Sequence, residues 1–108
     1  MSERRRYPRL DVNLPVILRY RGDLIPATVL NISCGGICLS TDNKEISSEG
    51  NAEVILDLSA TEIDVSVRGQ VVRVADGKNK KVGIQFTNLY SVGHKAIERY
   101  LTKNRKSI

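Results

Sequence analysis

Two short groups of residues carry the side chains best suited to holding a ligand. The first is Glu3-Arg-Arg-Arg-Tyr-Pro-Arg9, in which Arg5 and Arg9 form Arg-x-x-x-Arg and Arg4 stands just before them. A guanidinium is planar and permanently charged, so it can fork onto a phosphate, bind guanine O6 and N7 together, or stack on a base. The second is Asn31-Ile-Ser33-Cys-Gly-Gly36. Two apart at a strand end, Asn31 and Ser33 are expected to share an outward face, with Leu30 and Ile32 on the opposite one. The Asn31 amide can accept and donate, the Ser33 hydroxyl can meet a base edge or a phosphate, and Gly35 and Gly36 supply positive φ angles or a close backbone approach. Each group alone is ordinary: basic arms are commonly just solvated, and Asn-x-Ser-x-x-Gly is a frequent turn signal.

The other chemistry-bearing residues lead nowhere. Cys34 and Cys38 flank the Gly-Gly pair, but zinc wants about four ligands and the only further soft donor is His94. In an extended segment four residues span about 13 Å, whereas bridged Cα atoms lie about 4.4–6.8 Å apart, so a disulfide is not expected unless the turn tightens. Cys38 reads as a small residue packed in a strand, and Cys34 as a residue of the turn. His94 has no nucleophile and orienting carboxylate around it, and reads as a surface residue of a helix. Neither a Walker loop nor a dinucleotide fingerprint is present. The chain is therefore expected to be no enzyme and to need neither metal nor cofactor.

The elements that must position the two groups are mostly strands. Ala52, Val54, Leu56 and Leu58 alternate with polar or exposed positions, and so do Ile63, Val65 and Val67, which predicts two antiparallel strands joined near Ser59-Ala60-Thr61. Val71, Val72 and Val74 cannot share a face, so a bulge or bend is expected after Gly69. Further strands are expected over residues 12–20, 25–32, 36–41 and 81–86, with turns at Arg21-Gly22-Asp23 and Asp76-Gly77-Lys78-Asn79. About six short-linked strands are most economically closed into an antiparallel barrel, because closure removes exposed edges. After Phe86 the period becomes helical, with Val92, Ala96, Ile97, Tyr100 and Leu101 on one face and Lys95, Glu98, Arg99 and Lys103 on the other. The expected fold is thus all-β dominated: a six-stranded antiparallel barrel with a C-terminal helix. It divides into an arginine-rich arm (1–11), the barrel and helix (12–104) and a basic tail (105–108).

At 108 residues the chain suits one domain, and no apolar run approaches the roughly 18 residues of a membrane span. The start Met-Ser-Glu-Arg-Arg-Arg has no apolar stretch behind it and two cysteines make no disulfide scaffold, so a cytoplasmic setting is expected. Net charge is +5, concentrated at the two ends. That favours an anionic partner.

Taken together, ERRRYPRLDVNLPV, NISCGGICL and VGIQF (82–86) before a final helix resemble the PilZ domain family, over nearly the whole chain. The resemblance implies a bacterial receptor for the second messenger cyclic di-GMP, built as a six-stranded antiparallel barrel with a helix. It implies ligand binding by Arg4, Arg5 and Arg9 of the arm and by Asn31, Ser33 and Gly36 of the turn. Where the family often has Asp, this chain has Asn31, which avoids a charge and accepts less strongly. Arg4, just before Arg-x-x-x-Arg, implies two intercalated ligand molecules in place of one. The arm is expected to order over the ligand, with Pro8 and Pro15 limiting its freedom, and so to change a surface read by another protein. Two alternatives compete. A small basic barrel for single-stranded nucleic acid needs aromatic platforms, yet the chain has no Trp, one Phe at an inward strand position and four scattered Tyr. A PilZ-fold interaction protein without ligand would not need the intact motifs.

Overall fold

The computed structural model describes residues 9–43, 46–47 and 50–104. Six strands, β1 (Leu10–Tyr20), β2 (Asp23–Ile32), β3 (Gly36–Thr41), β4 (Asn51–Leu56), β5 (Val65–Ala75) and β6 (Lys80–Phe86), precede one helix, α1 (Val92–Asn104). The strands close into an antiparallel barrel in the order β1-β2-β3-β6-β5-β4. Alternation drives this. Val16, Leu18 and Tyr20 of β1 point inward, as do Ala52, Val54 and Leu56 of β4, while their sequence neighbours face out. Burying a Leu or Val side chain such as Leu18, Val29, Leu39 or Val82, each fully inaccessible, contributes about 1.5–3 kcal/mol.

Turns fix the register. Tyr20 pairs with Asp23 across the two-residue loop Arg21-Gly22, whose φ angles of 53° and 86° match the twist of a tight hairpin. β1 begins at Leu10, two residues earlier than its sequence pattern suggested, because Leu10 and Asp11 pair with Ile32 and Asn31. Pro15 is accordingly a residue of β1, opposite Thr28, and not of the arm. Ile63 does not extend β5 inward; it is 60% exposed. Asp64 adopts φ 53° beside it and donates its amide to Asp57 Oδ1 at 2.8 Å, so the alternation starts only at Val65.

The helix closes the barrel end formed by the β2–β3 turn and the β4–β5 connection, with Ala96, Ile97 and Leu101 joining the core. Ser91 caps it: its Oγ accepts the His94 amide at 3.1 Å. Gly93 lets α1 approach β5, since a Cβ there would collide with the Ser66 carbonyl. Val92, in the first turn, projects past the barrel and is exposed, contrary to its place in the helical pattern. At the opposite end Ile46 is buried, and Lys80 Nζ donates to its carbonyl at 2.8 Å.

Arg99 ties the helix to the β4–β5 connection by donating Nε and Nη2 to the two Glu62 carboxylate oxygens at 2.7 and 3.1 Å. The Arg99 hydrogen bond, opposed by burial and aided by the charges of Arg99 and Lys103, holds the Glu62 carboxyl below the ordinary glutamate range. A lowered folded-state pKa means that the pair stabilises the protein above the unfolded-state value and that this contribution disappears as pH falls through the folded one. In an NMR titration Glu62 should ionise at lower pH than a glutamate in an unstructured peptide, and Arg99→Ala should move it back up. High salt should shrink that difference, because the pair is open to solvent.

Candidate ligand-binding site

Arg9, the described residue of the first group, meets the second group at the helix-side end of β1 and β2. Asp11 pairs with Asn31 and Leu10 with Ile32, which leaves Arg9 just beyond the ladder. From there Arg9 Nη1 donates to Asn31 Oδ1 at 2.7 Å. Asn31 is aimed by an irregularity: between Val29 and Asn31, β2 has the extra residue Leu30, for which β3 offers no partner. Leu30 and Ile32 therefore do not share a face; Ile32 is fully buried and Leu30 only half so. The remaining Arg9 N–H groups and the Asn31 amide nitrogen give the site donors, while Asn31 Oδ1 keeps one lone pair for an N–H donor.

Ser33 departs from the expected outward orientation. It is 4% exposed, and its Oγ accepts the amides of Gly35 at 3.1 Å and Gly36 at 3.2 Å. The chain reverses tightly here, with Ser33 N donating to the Gly36 carbonyl at 2.9 Å, and the hydroxyl satisfies both glycine amides from inside the turn. Ser33 thus shapes the loop from inside. Gly36 serves close backbone approach, not positive φ: a Cβ there would strike the Ile84 carbonyl of β6. Cys34 and Cys38 form no disulfide and are half-buried. Arg4 and Arg5 lie outside the described residues.

His94 is the residue sequence reasoning missed. Far from lying on the surface, it is 2% exposed, edge-on to Phe86 with ring centroids 5.7 Å apart. Its Nε2 lies 2.6 Å from the Cys34 carbonyl, and because a carbonyl only accepts, Nε2 carries a proton. Nδ1 has no hydrogen-bond partner among the described residues, the Glu98 carboxylate standing 4.0 Å away. The signal was present in the spacing: positions 94, 97 and 101 share a helical face. Through this bond the helix holds the back of the turn whose front carries Asn31. Among the described residues no three metal-binding side chains converge, and no helix is long and apolar enough to cross a membrane.

The PilZ domain profile matches residues 3–103. The chain belongs to the PilZ domain family. Solved structures agree on the fold. The Bacillus subtilis inhibitor of motility MotI (DgrA) superposes with a TM-score of 0.76 at 22% identity, over 97% of this chain and 52% of that one. The PilZ domain of Escherichia coli YcgR with c-di-GMP gives 0.76 at 14% identity, over 97% and 94% of the two chains. The K. pneumonia MrkH–c-di-GMP complex gives 0.73 at 22%, over 94% and 52%. This PilZ chain thus spans about half the length of MotI and MrkH and nearly all of the YcgR domain. No curated protein matches it at a significant level.

Proposed function

We propose that this PilZ domain is a cytoplasmic, non-catalytic receptor for cyclic di-GMP. The observation that carries the reading is the 2.7 Å hydrogen bond from Arg9, the last residue of Arg-x-x-x-Arg, to Asn31, the first of Asn-x-Ser-x-x-Gly. Structurally similar PilZ proteins, YcgR and MrkH, are described in complex with c-di-GMP, which supports the choice of ligand. Asn31 orients Arg9 and leaves its other N–H groups for a phosphate or for guanine O6 and N7. Ser33 and Gly36 contribute by setting the turn, and Arg4 and Arg5 come over the ligand from the arm. Arg4 adds a stacking or phosphate contact to a second, intercalated ligand molecule. The signal leaves by contact: the arm closed over its ligand, or the α1 face of Lys95, Glu98, Arg99 and Lys103, is the surface an effector protein reads.

Calorimetric titration with cyclic di-GMP, with GMP and a single-stranded oligonucleotide as controls, tests this. Saturable binding of the cyclic dinucleotide alone is expected, with two molecules per chain, and Arg9→Ala should cost about 1–3 kcal/mol of affinity. Absence of binding overturns the receptor reading, and a stoichiometry of one removes the intercalated pair and the role of Arg4. The nucleic-acid alternative lacks a stacking platform. Among the described aromatic residues Tyr20 and Phe86 are buried and only Tyr90 is fully outside, at 85% exposure.

A further inference from the structure

The solvent face of β1 and its two neighbours carries an apolar row that no other element covers among the described residues. Pro26 of β2 pairs with Ile17 of β1, and Ile17 pairs with Ile55 of β4. The rows on either side, Ile25–Leu18–Val54 and Ala27–Val16–Leu56, turn toward the core, so these three side chains point out. Ile17 is 38% exposed and Leu24, diagonal to it, 62%; Pro15 and Pro26 are exposed and Ile55 is half-buried. On β3 and β6 the outward positions are instead small or polar: Cys38, Ser40, Lys81 and Gln85.

Strand propensity accounts for an outward isoleucine but not for this set. Proline is depleted in strands because it cannot donate to the ladder, yet Pro15 and Pro26 both stand in the patch. What the prolines offer is an apolar surface that loses no side-chain entropy when covered. The charges at the rim select the occupant. Arg19, two residues beyond Ile17, stands on one side of the row; Asp57, two beyond Ile55 on an antiparallel strand, stands exposed on the other. Arg19 Nη1 lies 3.2 Å from Glu53 Oε1 with the Arg19 side chain 56% exposed, so its guanidinium has further N–H groups for a second carboxylate. Glu53 and Asp57 would repel an anionic lipid surface or a nucleic acid. A second copy turned end for end instead lays Ile17 near Ile17 and Arg19 over Asp57. The chain's net charge of +5 opposes contact between copies, but this face holds one arginine against two carboxylates and meets less of that repulsion.

We infer that this face joins two copies of the chain in a two-fold dimer, with Ile17, Leu24 and Pro26 covered at its centre and Arg19 of each copy bridging its own Glu53 and Asp57 of the partner subunit. The frame is small: two strand spacings of about 4.8 Å by four residues of about 3.4 Å, roughly 10 by 14 Å, on the convex wall of a closed barrel. Even with the side chains around it, this falls below the about 800 Å² per partner of a standard interface, so the dimer is weak, with a Kd on the order of 0.1 mM. Asn31 lies farther along β2, at its helix-side end, so the dimer leaves it open and stands apart from the ligand reading.

Sedimentation equilibrium of the full chain, from about 10 µM to about 1 mM, tests this on the wild type and on Ile17→Ser, Leu24→Ser, Arg19→Gln and Val72→Ser, with urea unfolding of each. Val72 is the control: it is apolar and 54% exposed, but stands on β5 outside the row. The wild type should pass from monomer to dimer over that range. Ile17→Ser and Leu24→Ser should each weaken the dimer about tenfold or more, or about 1.4 kcal/mol, because each change is made twice in a two-fold contact. Leu24→Ser keeps the test open if Ile17→Ser fails to fold, since Leu24 is mostly exposed. Arg19→Gln should weaken the dimer too, although it lowers the net charge that opposes association, and Val72→Ser should leave it unchanged. A wild type that is still monomeric at about 1 mM overturns the inference and leaves the face to a different protein. So does a dimer that Ile17→Ser and Leu24→Ser leave intact, one that Arg19→Gln strengthens, or one that Val72→Ser weakens equally.

Discussion

Replacing His94 by alanine should lower the unfolding free energy by about 3 kcal/mol, because it combines a void in the core with a lost donor. The imidazole is 2% exposed and fills the space between α1, Phe86 and the β2–β3 turn, which alanine leaves empty. It also donates Nε2–H to the Cys34 carbonyl at 2.6 Å. A second variant separates the two losses. His94→Phe keeps a ring in the cavity but cannot donate, so any destabilisation beyond repacking, on the order of 1–3 kcal/mol, belongs to the stranded carbonyl. Urea unfolding reads both. Equal stability of His94→Phe and wild type would show that the bond to Cys34 contributes nothing. Because Cys34 sits between Ser33 and Gly35, loosening its carbonyl should also weaken cyclic di-GMP binding in His94→Phe, at a distance from every residue expected to touch the ligand.

That coupling explains what the sequence could and could not disclose. The barrel was legible because strand burial has a strict period of two: Val54 and Leu56 were read as inward from alternation alone, and both are buried. The Val71–Val74 anomaly marked a bulge, which lies at Val72. The site was legible as residue types but not as orientations. Alternation extrapolated past Ile32 puts Ser33 outside, yet the chain turns there, and a short hydroxyl that accepts from the two glycine amides is drawn inward. His94 was missed for the opposite reason. A lone titratable residue was judged by its chemistry, when its helical phase with Ile97 and Leu101 placed it in the core.

Gly36→Ala should be the most damaging single-methyl change at the site, lowering stability by about 2–3 kcal/mol. The added Cβ would overlap the Ile84 carbonyl, and that oxygen cannot withdraw cheaply: β6 is held on one side by β3 and on the other by β5. Relief must come from β3, whose first residue is Gly36 and whose displacement moves the turn back toward Ser33. Gly69→Ala is the control, since its Cβ would crowd Gln85 of β6 from the β5 side. Both variants should unfold at lower urea concentration than the wild type. Only Gly36→Ala should also reduce the affinity of the folded fraction for cyclic di-GMP, because only it shifts the segment that carries Ser33 and Asn31. Equal loss of affinity in the two variants would mean that binding follows the barrel's general stability, and that the close approach at Gly36 has no separate part in forming the site.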